Sequence, residues 1–357
     1  MKKSVILIAL VLFSQSLLAQ MNFEKGTVSE VLAKAKAENK VVMVDVLTDW
    51  CVWCVELDNL VYSRPDVYEY ANVNQINYKI DAEKGEGIAF KEKYDVQGYP
   101  TILFLDGDGN EVDRIYGYYP AAQFKEMMVD YSQKKNTTSD LKARLEKDPN
   151  DIEANYRYAD KLIGKNDIAG AKSNYELVIQ LDPENKSGRA DDANYMLAEL
   201  SDKETIIANL EKFISENPDS DMLKDAYISV GDKYNTVKSD VPTAEKWYNE
   251  ALAKYPNDDQ VKLAYGRFLN SQARVIGKME NASVEDIQRG LTILESALPY
   301  VKGSTSEAAS YYWQSEFYFR MKDYTRSMES IDKAIKIFDA KLYKEQKEKV
   351  EKQLSSK

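Results

Sequence analysis

Four Xaa-Pro dipeptides at near-constant spacing constrain this chain more than any other feature. Pro149, Pro183, Pro218 and Pro256 lie 34, 35 and 38 residues apart, each preceded by Asp, Asn or Tyr. Proline lacks a backbone N–H and biases the residue before it away from helical geometry, so each dipeptide is a helix stop. Ahead of three of these stops one pattern recurs. Ala171, Tyr175 and Val178 precede Pro183; Ile206, Leu210 and Phe213 precede Pro218; Ala244, Tyr248 and Ala251 precede Pro256. The spacing returns without proline as Gly290, Leu294, Ala297 and as Ser327, Ile331, Ala334. Residues three and four apart share a helix face. Each segment therefore offers a stripe of small and large side chains against which a second helix can cross. Gly231 and Tyr234 supply a matching first helix. Such pairs cannot bury their faces alone and must stack, and about five units fit the pattern.

The first third of the chain reads differently. Thr27-Val-Ser-Glu30 is a capping box that opens a helix to about Asn39. Val41–Val46 is nearly all apolar, as expected of a strand buried on both faces. A helix is expected from the cysteines to about Leu60, a strand over Ile76–Ile80 and a helical segment around Gly87–Tyr94. Thr101–Leu105 and Glu111–Tyr116 flank Asp106-Gly-Asp-Gly-Asn110 and read as a hairpin. A last helix follows Pro120. Alternation of this kind predicts a compact α/β layer domain. Residues 132–150 are polar and read as the linker, with a helical start from Leu141.

Composition narrows the chemistry. The chain has no histidine and two cysteines, Cys51 and Cys54. Imidazole bases, His-assisted nucleophiles and four-cysteine metal sites are excluded, and no metal or cofactor is expected. What remains is carboxylate, lysine or thiol chemistry. Cys51 falls directly after the buried strand, at a helix start where free N–H groups stabilise a thiolate. Cys54 is one turn on and can resolve a mixed disulfide formed at Cys51. Asp45, in the strand, is either a solvated strand-end acid or a buried one with a raised pKa that serves Cys54 as a base. The net charge of −11 disfavours nucleic acid as a partner.

Asp45, Trp50, the Cys51-Val-Trp-Cys54 pair and Val96-Gln-Gly-Tyr-Pro-Thr101 together resemble the thioredoxin family. Asp49-Trp-Cys-Val-Trp-Cys54 followed by Val61-Tyr-Ser-Arg-Pro65 is similar to the C-terminal domain of the electron transporter DsbD. The later segments resemble tetratricopeptide repeats. The fold class that follows is an α/β thioredoxin-like domain followed by an all-α tetratricopeptide-repeat solenoid. The resemblance implies that Cys51, Cys54 and Asp45 are catalytic. It also implies that Trp50, Trp53, Tyr99 and Pro100 contact substrate, with a cis bond before Pro100. Two departures stand out: Val52-Trp53 replaces the Gly-Pro of thioredoxins proper, and Asn77 takes the position of the lysine that thioredoxins keep near the buried acid. The resemblance to DsbD favours a reductant over an oxidant or isomerase.

Residues 1–20 carry Lys2, Lys3, the apolar run Val5–Phe13 and Ala19-Gln20, the pattern of a cleavable signal peptide rather than an uncleaved anchor. The expected domains are 1–20 leader, 21–134 thioredoxin-like and 135–357 helical repeats, with a periplasmic location or, alternatively, secretion. The expected function is a thiol–disulfide oxidoreductase. Its partners would be disulfide-bearing clients, an upstream membrane thiol reductase and a protein held on the repeat groove. The alternative is an envelope adaptor or chaperone-like scaffold in which the repeats dominate.

Overall fold

The computed structural model describes residues 20–355, so the leader expected over residues 1–20 lies outside the described residues except for Gln20. Four strands form one sheet in the order β2-β1-β3-β4. β1 (Val42–Leu47) is central, parallel to β2 (Ile76–Asp81) and antiparallel to β3 (Thr101–Leu105), which pairs in turn with β4 (Glu111–Tyr116). Successive strand residues point to opposite faces. Val42, Val44 and Val46 therefore join a core with α1 (Val28–Glu38) and α4 (Gly87–Lys93). Val41 and Met43 join the other core, under the π-helical turn Leu57–Tyr62 that continues α2 (Val52–Glu56), and under α3 (Pro65–Asn74) and α5 (Ala121–Ser132). Asp45, in phase with Met43, belongs to this second face.

Local chemistry explains the elements. The Thr27 hydroxyl accepts the Glu30 N–H while the Glu30 carboxylate accepts the Thr27 N–H at 2.8 Å, which completes the capping box of α1. The hairpin turn is held by Asp106, whose Oδ1 accepts the N–H groups of Asp108 and Asn110, both at 2.9 Å. The cysteine helix runs past the expected Leu60, because α2 continues as a π-helical turn over Leu57–Tyr62. α3 was not foreseen. Pro65 at its first turn and Asp66 beside it are start signals, but burial of Val67, Tyr68 and Ala71 against α5 is what keeps it helical.

The polar stretch after α5 becomes helix α6 (Thr138–Lys147), starting ahead of Leu141 because the Thr137 hydroxyl caps it. Among the described residues five helix pairs follow. They are α7 (Ile152–Gly164) with α8 (Ile168–Leu181), and α9 (Ala190–Glu199) with α10 (Ile206–Glu216). Next come α11 (Leu223–Lys233) with α12 (Val241–Lys254), and α13 (Asp259–Gly277) with α14 (Val284–Val301). α15 (Thr305–Arg320) pairs with α16 (Tyr324–Ile337), and α17 (Lys341–Ser355) covers the end. Each stop proline directly follows a helix C-cap: Asp148, Asp182, Asn217 and Tyr255. The repeat stripes are buried, with Tyr175 and Tyr248 wholly enclosed. Their hydroxyls donate to Asp160 and Asp232 on the paired helix, the same bond in two units.

The arm meets the α/β domain in two places. Near its start, Lys161 lies 3.1 Å from Asp113, and Arg157 reaches Glu126 at 2.6 Å and Asp130 at 3.2 Å. Far along the chain, Arg267 on α13 and Thr305 at the start of α15 both reach Glu56 on α2.

Candidate active site

Cys51 is the N-cap of α2, and a disulfide joins it to Cys54 with Cα atoms 5.3 Å apart. Both residues are 4% exposed. The Cys51 N–H donates to the Thr48 carbonyl at 3.1 Å. The Cys54 N–H donates to the Cys51 carbonyl at 3.2 Å and to its Sγ at 3.1 Å. A first-turn N–H aimed at sulfur stabilises negative charge there once the bond is reduced. The sequence placed this pair, and the fold delivers it at the helix start.

Asp45 is fully buried, and among the described residues neither of its carboxylate oxygens accepts a hydrogen bond. Burial pushes its pKa up to about 7; the Lys79 ammonium at 3.8 Å and the nearby Tyr62 hydroxyl pull it down, while Asp58 pushes it up. Lys79 also pairs with Asp58, so one cation serves two acids. This corrects the expectation for Asn77. β2 runs parallel to β1 with Asp45 opposite Lys79 and Asn77 opposite Met43, so the lysine of this site is Lys79. Asn77 instead accepts a bond from Gln75 at 2.7 Å and donates to the Asn22 carbonyl at 3.2 Å.

The rim of the disulfide is aromatic. Trp50 is 62% exposed; its Nε1 donates to Glu83 at 3.0 Å and its ring meets that of Tyr99 edge-on at 5.8 Å. The Tyr99–Pro100 peptide is cis. The Pro100 carbonyl accepts the Gly117 N–H at 2.9 Å, which ties this loop to the end of β4. Trp53, 47% exposed, packs at 5.4 Å on Tyr118 and at 5.3 Å on the Arg267 guanidinium. The Tyr99–Pro100 loop thus reaches the cysteine segment through the Trp50–Tyr99 contact, while Trp53 meets Arg267 of the repeat arm.

Two residues of this region, Glu56 and Lys79, were not read from the sequence. Glu56 is 1% exposed, and its Oε1 accepts from Arg267 at 3.0 Å and from Thr305 at 2.7 Å. Its partners stand 211 and 249 residues downstream, beyond the reach of any local pattern. Lys79 could have been found by aligning the two buried strand runs in parallel register. Among the described residues, the carboxylates of Asp191, Asp192 and Asp221 come within 4.8 Å of one another. They lie on the repeats, and Arg189 already pairs with Asp192 at 2.9 Å.

Residues 28–132 match the family model of the thioredoxin-like domain, and residues 308–341 match that of the tetratricopeptide repeat. The first domain is thioredoxin-like, and the helical arm, which resembles a tetratricopeptide-repeat solenoid, carries a tetratricopeptide repeat over residues 308–341. The chain is 39% identical over 93 residues to the thiol:disulfide interchange protein DsbD of Yersinia pestis, covering 25% of this chain and 16% of that protein. It is 33% identical over 111 residues to DsbD of Haemophilus influenzae, covering 30% of this chain and 19% of that one. The chain thus spans less than a fifth of the length of these curated relatives. Among solved structures, a thioredoxin from Thermus thermophilus is 28% identical, covering 30% of this chain and 86% of that one, with a TM-score of 0.28. The thioredoxin-like domain carries its disulfide at the N-terminus of α2, with Asp45 buried in the strand beneath that helix face.

Proposed function

We propose that this protein is an exported thiol–disulfide oxidoreductase that works in the periplasm on disulfide-bearing clients. The observation that carries the reading is a Cys51–Cys54 disulfide at a helix N-terminus on a sheet that buries Asp45. In the reduced enzyme, the Cys51 thiolate attacks one sulfur of a client disulfide and expels the other as a thiolate. Asp45 takes the proton of Cys54, which attacks the Cys51 sulfur and releases the client's second thiolate. Two electrons pass to the client and the pair is left oxidised; the two client thiolates take up their protons from water, and Asp45 returns its proton to solvent. A dithiol donor of the DsbD type, in the membrane, then resets it. Trp50, Trp53, Tyr99 and Pro100 receive the client segment, and the repeats offer a surface for a protein partner.

The test is direct. The mature chain with dithiothreitol should accelerate insulin reduction, and Cys51→Ser should abolish the effect. Cys54→Ser should accumulate clients as mixed disulfides on Cys51. No turnover and no trapped client would leave the repeat scaffold as the better reading. The potential of the pair decides direction: near ~ −270 mV the enzyme reduces, near ~ −120 mV it oxidises.

A further inference from the structure

We propose that Arg267 is a positioning residue of the redox site, through which the repeat arm sets the Trp53 side of the client-binding surface. The inference rests on the oxidoreductase reading and adds to it a residue that the thioredoxin-like domain does not itself contain.

The geometry is a three-point latch. Glu56 lies two residues past Cys54 on α2, is almost wholly buried, and receives hydrogen bonds from Arg267 at 3.0 Å and Thr305 at 2.7 Å. Both bonds fall on Oε1, while Oε2 is buried with no hydrogen-bond partner among the described residues, so the burial of this carboxylate depends on the Arg267 charge beside it. The same guanidinium lies 5.3 Å from the Trp53 ring, within cation–π range, and its Nε donates to Ser306 at 3.3 Å. Asn270, one turn along α13, donates to the Ser306 carbonyl at 2.8 Å and accepts from Ser310 at 2.7 Å. The start of α15 and the middle of α13 are thus locked together before they meet α2. One planar cation grips the active-site helix from beneath at Glu56 and fixes the side chain of Trp53, which stands between the two cysteines. Lysine could supply the charge to Glu56 but not the planar fork that bonds and stacks at once.

It follows that the surface met by a client is composite. Trp50 and Tyr99 come from the thioredoxin-like domain alone, whereas the Trp53–Tyr118 side is held by the fourth and fifth repeats. The arm then acts on catalysis by fixing an aromatic contact, not by touching the reacting sulfurs.

The experiment uses the full mature chain and its Arg267→Ala, Arg267→Lys and Thr305→Val variants. Insulin reduction and tryptophan fluorescence are read on each, with a thermal melt to establish folding. Arg267→Ala should raise KM for insulin about fivefold or more with kcat held within about twofold, the scale of losing one anchoring contact. It should also change the emission spectrum, and that change should vanish in a Trp53→Phe background. Arg267→Lys should restore less than half of the lost KM. An Arg267→Ala protein that folds with unaltered KM and unaltered Trp53 emission would overturn the proposal, as would full rescue by lysine. If Arg267→Ala unfolds the arm, Thr305→Val must give the same Trp53 signature, and its absence counts against the latch. Failure of the wild-type chain to reduce insulin would strike the oxidoreductase reading alone, because the emission change still tests the latch.

Discussion

Lys79 stands opposite Asp45 across the β1–β2 ladder, its ammonium 3.8 Å from a carboxylate that has no exposure to water. The pair is unequal. Lys79 is partly solvated and shares its charge with Asp58, so Asp45 receives only part of the compensation that its burial demands. Lys79→Met should therefore move the Asp45 midpoint above its present value of about 7, by roughly 1 pH unit or more. A carboxyl NMR titration of the oxidised protein reads this, and an unmoved midpoint would show that burial alone sets the value.

Stability should depend on pH through the same group. Asp45 holds its proton more tightly folded, at about 7, than at its ordinary 3.8, so stability falls as pH rises between those values. Asp45→Asn removes the charged form. The variant should be more stable than the wild type at pH 8 by on the order of 2–4 kcal/mol and show little gain at pH 3.5. Urea unfolding of the oxidised thioredoxin-like signal at both pH values checks it, and an equal difference at the two would sink the linkage.

Trp50 is largely exposed, with its indole N–H donating to Glu83 and its ring meeting the edge of Tyr99. Trp50→Ala should change stability by less than about 0.5 kcal/mol, as expected of an exposed site. It should raise KM for protein clients severalfold. A variant with wild-type KM would remove Trp50 from the client surface.

Gly290 lies under the Phe317 ring, and a Cβ there would come within 2.6 Å of it. Alanine gains up to ~1 kcal/mol of helix propensity over glycine, but overpacking a buried ring costs about 1–3 kcal/mol. The clash wins because Phe317 is fully buried and has nowhere to turn. Gly290→Ala should lower the melting temperature of the repeat arm while leaving the potential of the Cys51–Cys54 pair unchanged. A rise in melting temperature would mean that the ring gives way.

Much of this was legible from the residues because the determinants were local. Cys51 needed only a buried strand before it and a helix after it. The repeat stripes needed only their spacing and the proline stops. α3 was missed because its Pro65 start is polar on both sides and its helicity depends on α5. The resemblance puts Asn77 where thioredoxins keep a lysine; that Lys79, two positions on, faces Asp45 follows from the β1–β2 pairing, which no single strand reveals. Glu56 was invisible for a stronger reason: an acid inside a helix is ordinary until a guanidinium from another domain removes its water.

The arm departs from α5 and comes back to α2, so the polypeptide closes a circuit anchored at Lys161–Asp113 and again at Arg267–Glu56. A superhelix of repeats held at one end flexes like a spring, winding and unwinding as its units breathe. Held at both, it behaves as a braced arch. The second and third repeats, α9 to α12, lie along the chain between the two abutments. Any partner that docks along them would meet a preset shape and lose no affinity to a fraction of arms bent the wrong way. Cutting either abutment should make that span elastic, so that whatever binds the repeats would have to select one of several shapes.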